Sequence, residues 1–167
     1  MDSRAKLLGH PIHQMLIVFP LGLLGGAIIF DIVHIARGGN WSLIAWYMIG
    51  LGVITGLLAA VFGLIDWLAI PSGTRAKAIG AWHAVGNVVV VLLFAASWYL
   101  RRGHATRPSE LEYVLSFAGF ALSGITAWLG GELVDRLGVG VYEDANLNAP
   151  SSIRTSSVRP ESTRARA

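Results

Sequence analysis

The sequence predicts an all-α integral membrane protein, an up-down-up-down four-helix bundle followed by a disordered C-terminal tail. Three observations carry that prediction. Four apolar runs are each long enough to cross a bilayer, the connections between them are short, and the composition is 54% hydrophobic with 14% charged residues over 167 positions. Soluble domains carry about 25% charged residues, so this composition, with a mean hydropathy of +0.59, excludes an ordinary soluble globule.

The first run covers residues 12–35. It follows Arg4 and Lys6 as a signal peptide would, yet no small-residue cleavage site follows it, and Asp31 and His34 continue the segment. A retained helix is expected, with a kink at Pro20 near Gly22. The second run covers residues 43–70, with no charge from 43 to 65; the third covers 79–100; the fourth covers 111–134, uncharged over 113–131. About 20 helical residues cross a hydrocarbon core of about 30 Å. The runs lack the period-two alternation of barrel strands and are far longer than such strands.

The connections Arg37-Gly38-Gly39-Asn40, Pro71-Ser72-Gly73-Thr74 and the stretch from Arg102 to Pro108 are short, which makes sequential helices antiparallel neighbours. Residues 1–141 form the membrane domain. Residues 142–167, rich in Ser, Thr, Asn and Pro and carrying Arg154, Arg159, Arg164 and Arg166, are expected to be disordered, with arginines available to anionic lipid.

Small residues recur every four positions: Gly22 and Gly26; Gly52, Gly56 and Ala60; Gly80 and Ala84; Gly119, Ser123 and Ala127. Such stripes let helix backbones approach in lipid. Trp41, Trp46, Tyr47, Trp67, Trp82, Trp98, Tyr99 and Tyr113 lie toward span ends, as headgroup-level aromatic belts do.

Net charge is +3, but the basic residues are scattered between apolar blocks, which argues for membrane flanks and against nucleic acid. Arg4, Lys6, Arg75, Lys77 and Arg136 lie on the side of the termini, against Arg37, Arg101, Arg102 and Arg107 on the other. Adding the four tail arginines makes nine against four, which favours cytoplasmic termini in a bacterial inner membrane. The chain has no cysteine. Disulfides, thiolate zinc sites, iron–sulfur clusters and covalently attached haem are thereby excluded, and any metal must rest on His or carboxylate.

Ionisable groups inside spans cost about 2.5–3.5 kcal/mol at mid-helix, so each asks for a partner or a role. His10 and His13 open the first span, Asp66 closes the second, His83 opens the third with Asn87 a turn deeper, and Glu132 and Asp135 close the fourth. Antiparallel threading delivers all of them to one membrane face. If the helices are continuous there, the spacings of three or four place each pair on one helix face. Two occupants fit these donor types: a divalent transition metal on His10, His13, Asp66, His83 and Glu132, or a b-type haem on His13 and His83 with Asn87 beside them and Arg75, Lys77 or Arg136 near the propionates.

A redox partner protein would follow from either occupant. The alternative is a non-enzymatic membrane scaffold or partner-binding protein in which the same groups are interhelical locks. A small permease is a third reading. A second polar locus, Asp31 and His34, lies about 27 Å along the same helix from His13, with no ionisable residue over 16–29 to form a relay. No Walker-type or GxSxG sequence occurs, so phosphate-loop and nucleophile-elbow chemistry find no support, and a non-enzymatic role is the stronger expectation.

The run His10-Pro11-Ile12-His13, then Gly63-Leu64-Ile65-Asp66-Trp67 before Pro71, then His83 with Asn87, and Leu129-Gly130-Gly131-Glu132-Leu133-Val134 leading to Gly138-Val139-Gly140-Val141 resembles the bacterial membrane family called domain of unknown function 2231. The resemblance covers residues 9–141. It implies a four-span membrane protein without an assigned reaction, and relatives joined to electron-transfer modules imply a redox setting. Gln14 stands where the family often has proline, and Leu137 where it often has histidine.

Overall fold

A computed structural model describes residues 1–153 of the chain. Among them are a small antiparallel hairpin, β1 (Lys6–Leu7) and β2 (His10–Pro11), and the helices α1 (Ile12–Leu16), α2 (Val18–Arg37), α3 (Trp41–Ala69), α4 (Arg75–Leu100) and α5 (Glu110–Gly131), the last running on into a π-helical turn, Glu132–Arg136. Four stretches are long and apolar enough to cross a membrane: Ile12–Arg37, Trp41–Ala69, Arg75–Leu100 and Glu110–Arg136.

The helix ends follow from local chemistry. Thr74 Oγ1 accepts from the Lys77 amide at 3.2 Å, capping α4. The Ser109 amide donates to Glu112 Oε2 at 2.7 Å, which holds the first turn of α5. Span one breaks at Ile17, between α1 and α2, and not at the expected Pro20–Gly22 position. Pro20 has no N–H for the Leu16 carbonyl, four residues back, so the disruption falls one turn before the proline.

The α2–α3 and α4–α5 hairpins are the closest-packed pairs, joined mainly where α3 meets α4. Around a few large apolar side chains, Leu24, Ile28, Ile49, Val90 and Phe94, the buried set is small or polar: Ala27, Ala45 and Ala59, Gly50, Gly52, Gly80 and Gly119, with Ser42, Ser97 and Ser116. Most other large apolar side chains point outward, Trp82 at 70% and Ile29 at 63% exposure, as expected where lipid is the solvent. Of the small-residue stripes, Gly52 and Gly119 do lie in helix contacts, where an added Cβ would meet Leu24 and Phe94. Gly22, Ala60, Ala84 and Ala127 face outward.

The two hairpins are copies of one plan. Leu24, Ala27 and Asp31 of α2 are buried, and so are Phe94, Ser97 and Arg101, each 70 positions later. Ala45, Ile49, Gly52 and Ala59 of α3 are buried, and so are Glu112, Ser116, Gly119 and Thr126, each 67 positions later. His13 and His34 likewise correspond to His83 and His104. The helices of the two copies run in the same sense, so the copies are parallel repeats about an axis along the membrane normal.

On the face of the termini, Leu8 (φ 50°) and Gly9 (φ 87°) make the tight turn of the β1–β2 hairpin, both in the positive-φ region that a type I′ turn requires. Tyr142 Oη donates to the Gly9 carbonyl at 2.5 Å and Ser152 Oγ to the Leu8 carbonyl at 3.1 Å. Part of the expected tail thus rests on this turn. Arg154, Arg159, Arg164 and Arg166 lie outside the described residues.

Candidate functional site

His13 and His83 meet inside the bundle with ring centroids 6.4 Å apart and planes at 85°. The same device holds each ring. His13 Nδ1 donates to the Ala59 carbonyl at 2.8 Å, and His83 Nδ1 to the Thr126 carbonyl at 2.9 Å. A carbonyl only accepts, so both Nδ1 atoms carry hydrogen and each neutral ring keeps its lone pair on Nε2. Four residues beyond each carbonyl stands a glycine that makes room: a Cβ on Gly63 would lie 2.9 Å from the His13 ring, and one on Gly130 3.2 Å from the His83 ring. The site is therefore built twice, once by each repeat.

The copies differ in what surrounds Nε2. Asn87 Nδ2 donates to His83 Nε2 at 3.2 Å and to the His83 carbonyl at 2.9 Å, while Asn87 Oδ1 accepts from Thr126 Oγ1 at 3.1 Å. The corresponding residues of the first repeat, Ile17 and Ala59, are apolar. His13 Nε2 is the less encumbered base.

The remaining expected ligands go elsewhere. Asp66 accepts from Ser3 Oγ at 2.7 Å, from the Arg4 amide at 2.8 Å and from the Ala5 amide at 3.2 Å, so its carboxylate latches the N-terminal segment onto the end of α3. Glu132 pairs with Arg75 at 2.8 Å, with side chains 17% and 60% exposed. His10 precedes the helix in β2 and is exposed, its Nε2 3.3 Å from Ser152 Oγ. The three-residue spacing from His13 does not set a common helix face, because the helix begins only at Ile12. Asp135 is exposed and, with Trp128, Gly131, Glu132 and Arg136, lines an open cleft of about 290 Å³. No group of three or more His, Asp or Glu stands close enough to hold a metal ion among the described residues. Outside the spans, the hydrogen bond from Lys6 to Asp2, 2.9 Å, raises the lysine above its usual 10.5.

The polar locus at the opposite face has a partner that sequence reasoning counted only as a flanking charge. Arg101 Nη1 and Nη2 donate to Asp31 Oδ1 and Oδ2, both at 2.8 Å, and both side chains are fully buried. Nη2 also reaches Ser116 Oγ at 3.2 Å. Glu112, 4% exposed in its side chain, accepts from His104 Nε2 at 2.8 Å. His34, the counterpart of His104, has a buried Nδ1 without a partner among the described residues. Ala45 stands where the second repeat has Glu112. The correspondence at 70 positions was the signal that would have exposed Arg101.

No curated protein and no solved structure matches the chain. A family model described as "Predicted membrane protein (DUF2231)" matches residues 9–143. That match takes in all four spans, both histidines with their carbonyl and glycine partners, and Asp66, and the chain belongs to the DUF2231 family of membrane proteins.

Proposed function

We propose that the protein is a membrane-embedded subunit that carries a cofactor on His13 and His83 and serves electron transfer with a redox partner protein. One observation carries the reading: two imidazoles from corresponding positions, both with Nδ1 committed to a backbone carbonyl, keep Nε2 as the basic nitrogen. Metal-binding histidines are oriented in this way by an outer hydrogen bond. With ring centroids 6.4 Å apart, His13 and His83 stand close enough that the two imidazoles would hold one metal-bearing group together.

The donor set favours a b-type haem over a divalent ion held by carboxylates, since Asp66 and Glu132 are engaged by Ser3 and Arg75. Bound there, haem would supply a one-electron centre. The chain would supply two oriented bases, the glycine space beside them, and Asn87, which must yield His83 Nε2 to the metal. The charge asymmetry of the flanks supports a bacterial inner membrane with cytoplasmic termini.

A second reading, a non-enzymatic scaffold or partner-binding protein, is favoured by a different observation: His13, His83, Asn87, Asp31, Asp66 and Glu132 all have partners within the protein. One spectrum separates the two. Purified in mild detergent after expression with added haem, the protein should show a Soret band that moves on dithionite reduction. His83→Ala should release the cofactor while helicity persists. A flat spectrum together with metal-free elemental analysis removes the cofactor reading, and a His83→Ala variant that only melts earlier is the signature of a lock.

A further inference from the structure

On the face opposite the histidine pair, the loop from α4 to α5 and the start of α3 enclose an open cleft of about 300 Å³ lined by Leu43, Trp46, Gly103, His104, Ala105 and Thr106. The amides of Ala105 and Thr106 meet no backbone acceptor among the described residues, and both residues line the cleft next to His104. His104, 48% exposed in its side chain, directs Nε2 at Glu112 and leaves Nδ1 over.

The charge around the cleft points the same way. Arg37, Arg102 and Arg107 are exposed at this face. The two buried acids are already spent, Asp31 on Arg101 and Glu112 on His104 and the Ser109 amide. Among the described residues, Glu110 is left as the exposed acid beside this loop. Depth identifies the source of the anion: Trp46 stacks on Trp98 with centroids 5.6 Å apart and lies against Tyr47, and Tyr99 is next in sequence. Such rings mark the headgroup level.

We propose that this cleft binds the phosphate of an anionic phospholipid headgroup through the amides of Ala105 and Thr106, the Thr106 hydroxyl and His104. Arg37, Arg102 and Arg107 supply the surrounding positive field, and backbone amides with a hydroxyl are common phosphate donors. The proposed hydrogen-bond donors come from the second repeat alone. In the first repeat the histidine counterpart, His34, has no carboxylate to direct it, and the connecting loop is a different length.

Amide NMR of the full chain in micelles tests the assignment, with inorganic phosphate, short-chain phosphatidylglycerol and short-chain phosphatidylcholine as separate titrants. The expected result is a saturable downfield shift of the Ala105 and Thr106 amides with phosphatidylglycerol. The midpoint should be about tenfold weaker with phosphatidylcholine, and about tenfold weaker in Thr106→Val, the scale of one hydrogen bond to a charged group. The same shift from inorganic phosphate assigns the phosphate itself as the ligand, and a shift from phosphatidylglycerol alone assigns the lipid; both support the site. No saturable shift with phosphatidylglycerol overturns it. So does equal response to phosphatidylcholine, or a midpoint unchanged in both Thr106→Val and His104→Ala. The readout is independent of any cofactor on the opposite face.

Discussion

Asp31 and Arg101 grip each other through two parallel hydrogen bonds of 2.8 Å, and they occupy the same position in the two repeats. Corresponding side chains of halves related by a two-fold axis meet each other near that axis. Two identical hairpins associating as a dimer would bring Asp against Asp, or Arg against Arg. Joining both copies in one chain lets the positions diverge into opposite charges, so the pair records a register that only the fused, asymmetric bundle can use.

Removing one partner leaves the other as an uncompensated charge with no exposure to solvent. Arg101→Met or Asp31→Leu alone should therefore cost about 3–5 kcal/mol. The double replacement Asp31→Leu with Arg101→Met should recover most of that loss, because apolar groups of similar volume substitute for buried ion pairs at little net cost. Thermal unfolding in detergent, read as a double-mutant cycle, checks this. Additive losses in the double variant would mean that the two residues act separately.

The Arg75–Glu132 pair joins the start of α4 to the turn after α5 at the opposite face, and it is largely solvated on the arginine side, at 60% exposure. Glu132→Gln should change stability by less than about 1 kcal/mol, and the effect should shrink further in high salt. A loss as large as that from breaking the Asp31 pair would contradict an exposed, screened bridge.

Asp66 does not face the histidines; it gathers Ser3 and two backbone amides of the N-terminal segment. Asp66→Ala should free that segment while the spans remain folded. Hydrogen bonds to a charged group contribute about 1.5–3 kcal/mol each, so opening of residues 3–11 should become at least tenfold more frequent. Trypsin cleavage after Arg4 or Lys6, compared with hydrogen exchange in α3, reads the local event apart from global unfolding.

The spans and their order were legible because lipid demands long uninterrupted apolar runs, and charge or glycine clusters punctuate them. The common depth of His13, Asp66, His83 and Glu132 was legible from threading alone. Which of those groups touch was not, since contact depends on side-chain direction at helix ends: His10 falls before the first helical residue, and Asp66 turns toward backbone amides of a preceding segment. Arg101 read as the first of two flanking arginines, although its neighbour Arg102 is exposed while it is fully buried. The repeat is faint because lipid-facing positions accept any large apolar residue. Between residues 12–37 and their counterparts only His13, Val18, Leu23, His34 and Arg37 keep their identity.

The paired glycines give the most direct test that the two imidazoles are held by one device. Gly63→Ala would place a methyl group 2.9 Å from the His13 ring, closer than real contacts allow, and the ring is tied to the Ala59 carbonyl by a 2.8 Å hydrogen bond. Gly130→Ala would place it 3.2 Å from His83, a gap that a few tenths of an ångström of ring motion relieves. Overpacking of this kind costs about 1–3 kcal/mol, so Gly63→Ala should fall toward the upper end and Gly130→Ala toward the lower. In the Gly63→Ala variant, ¹⁵N NMR should show the His13 Nδ1–H losing its carbonyl-bonded shift while His83 keeps its own. Equal losses at both histidines from either substitution would mean that the rings move as a coupled pair, and unchanged shifts in both variants would remove the glycines from the account of how the imidazoles are oriented.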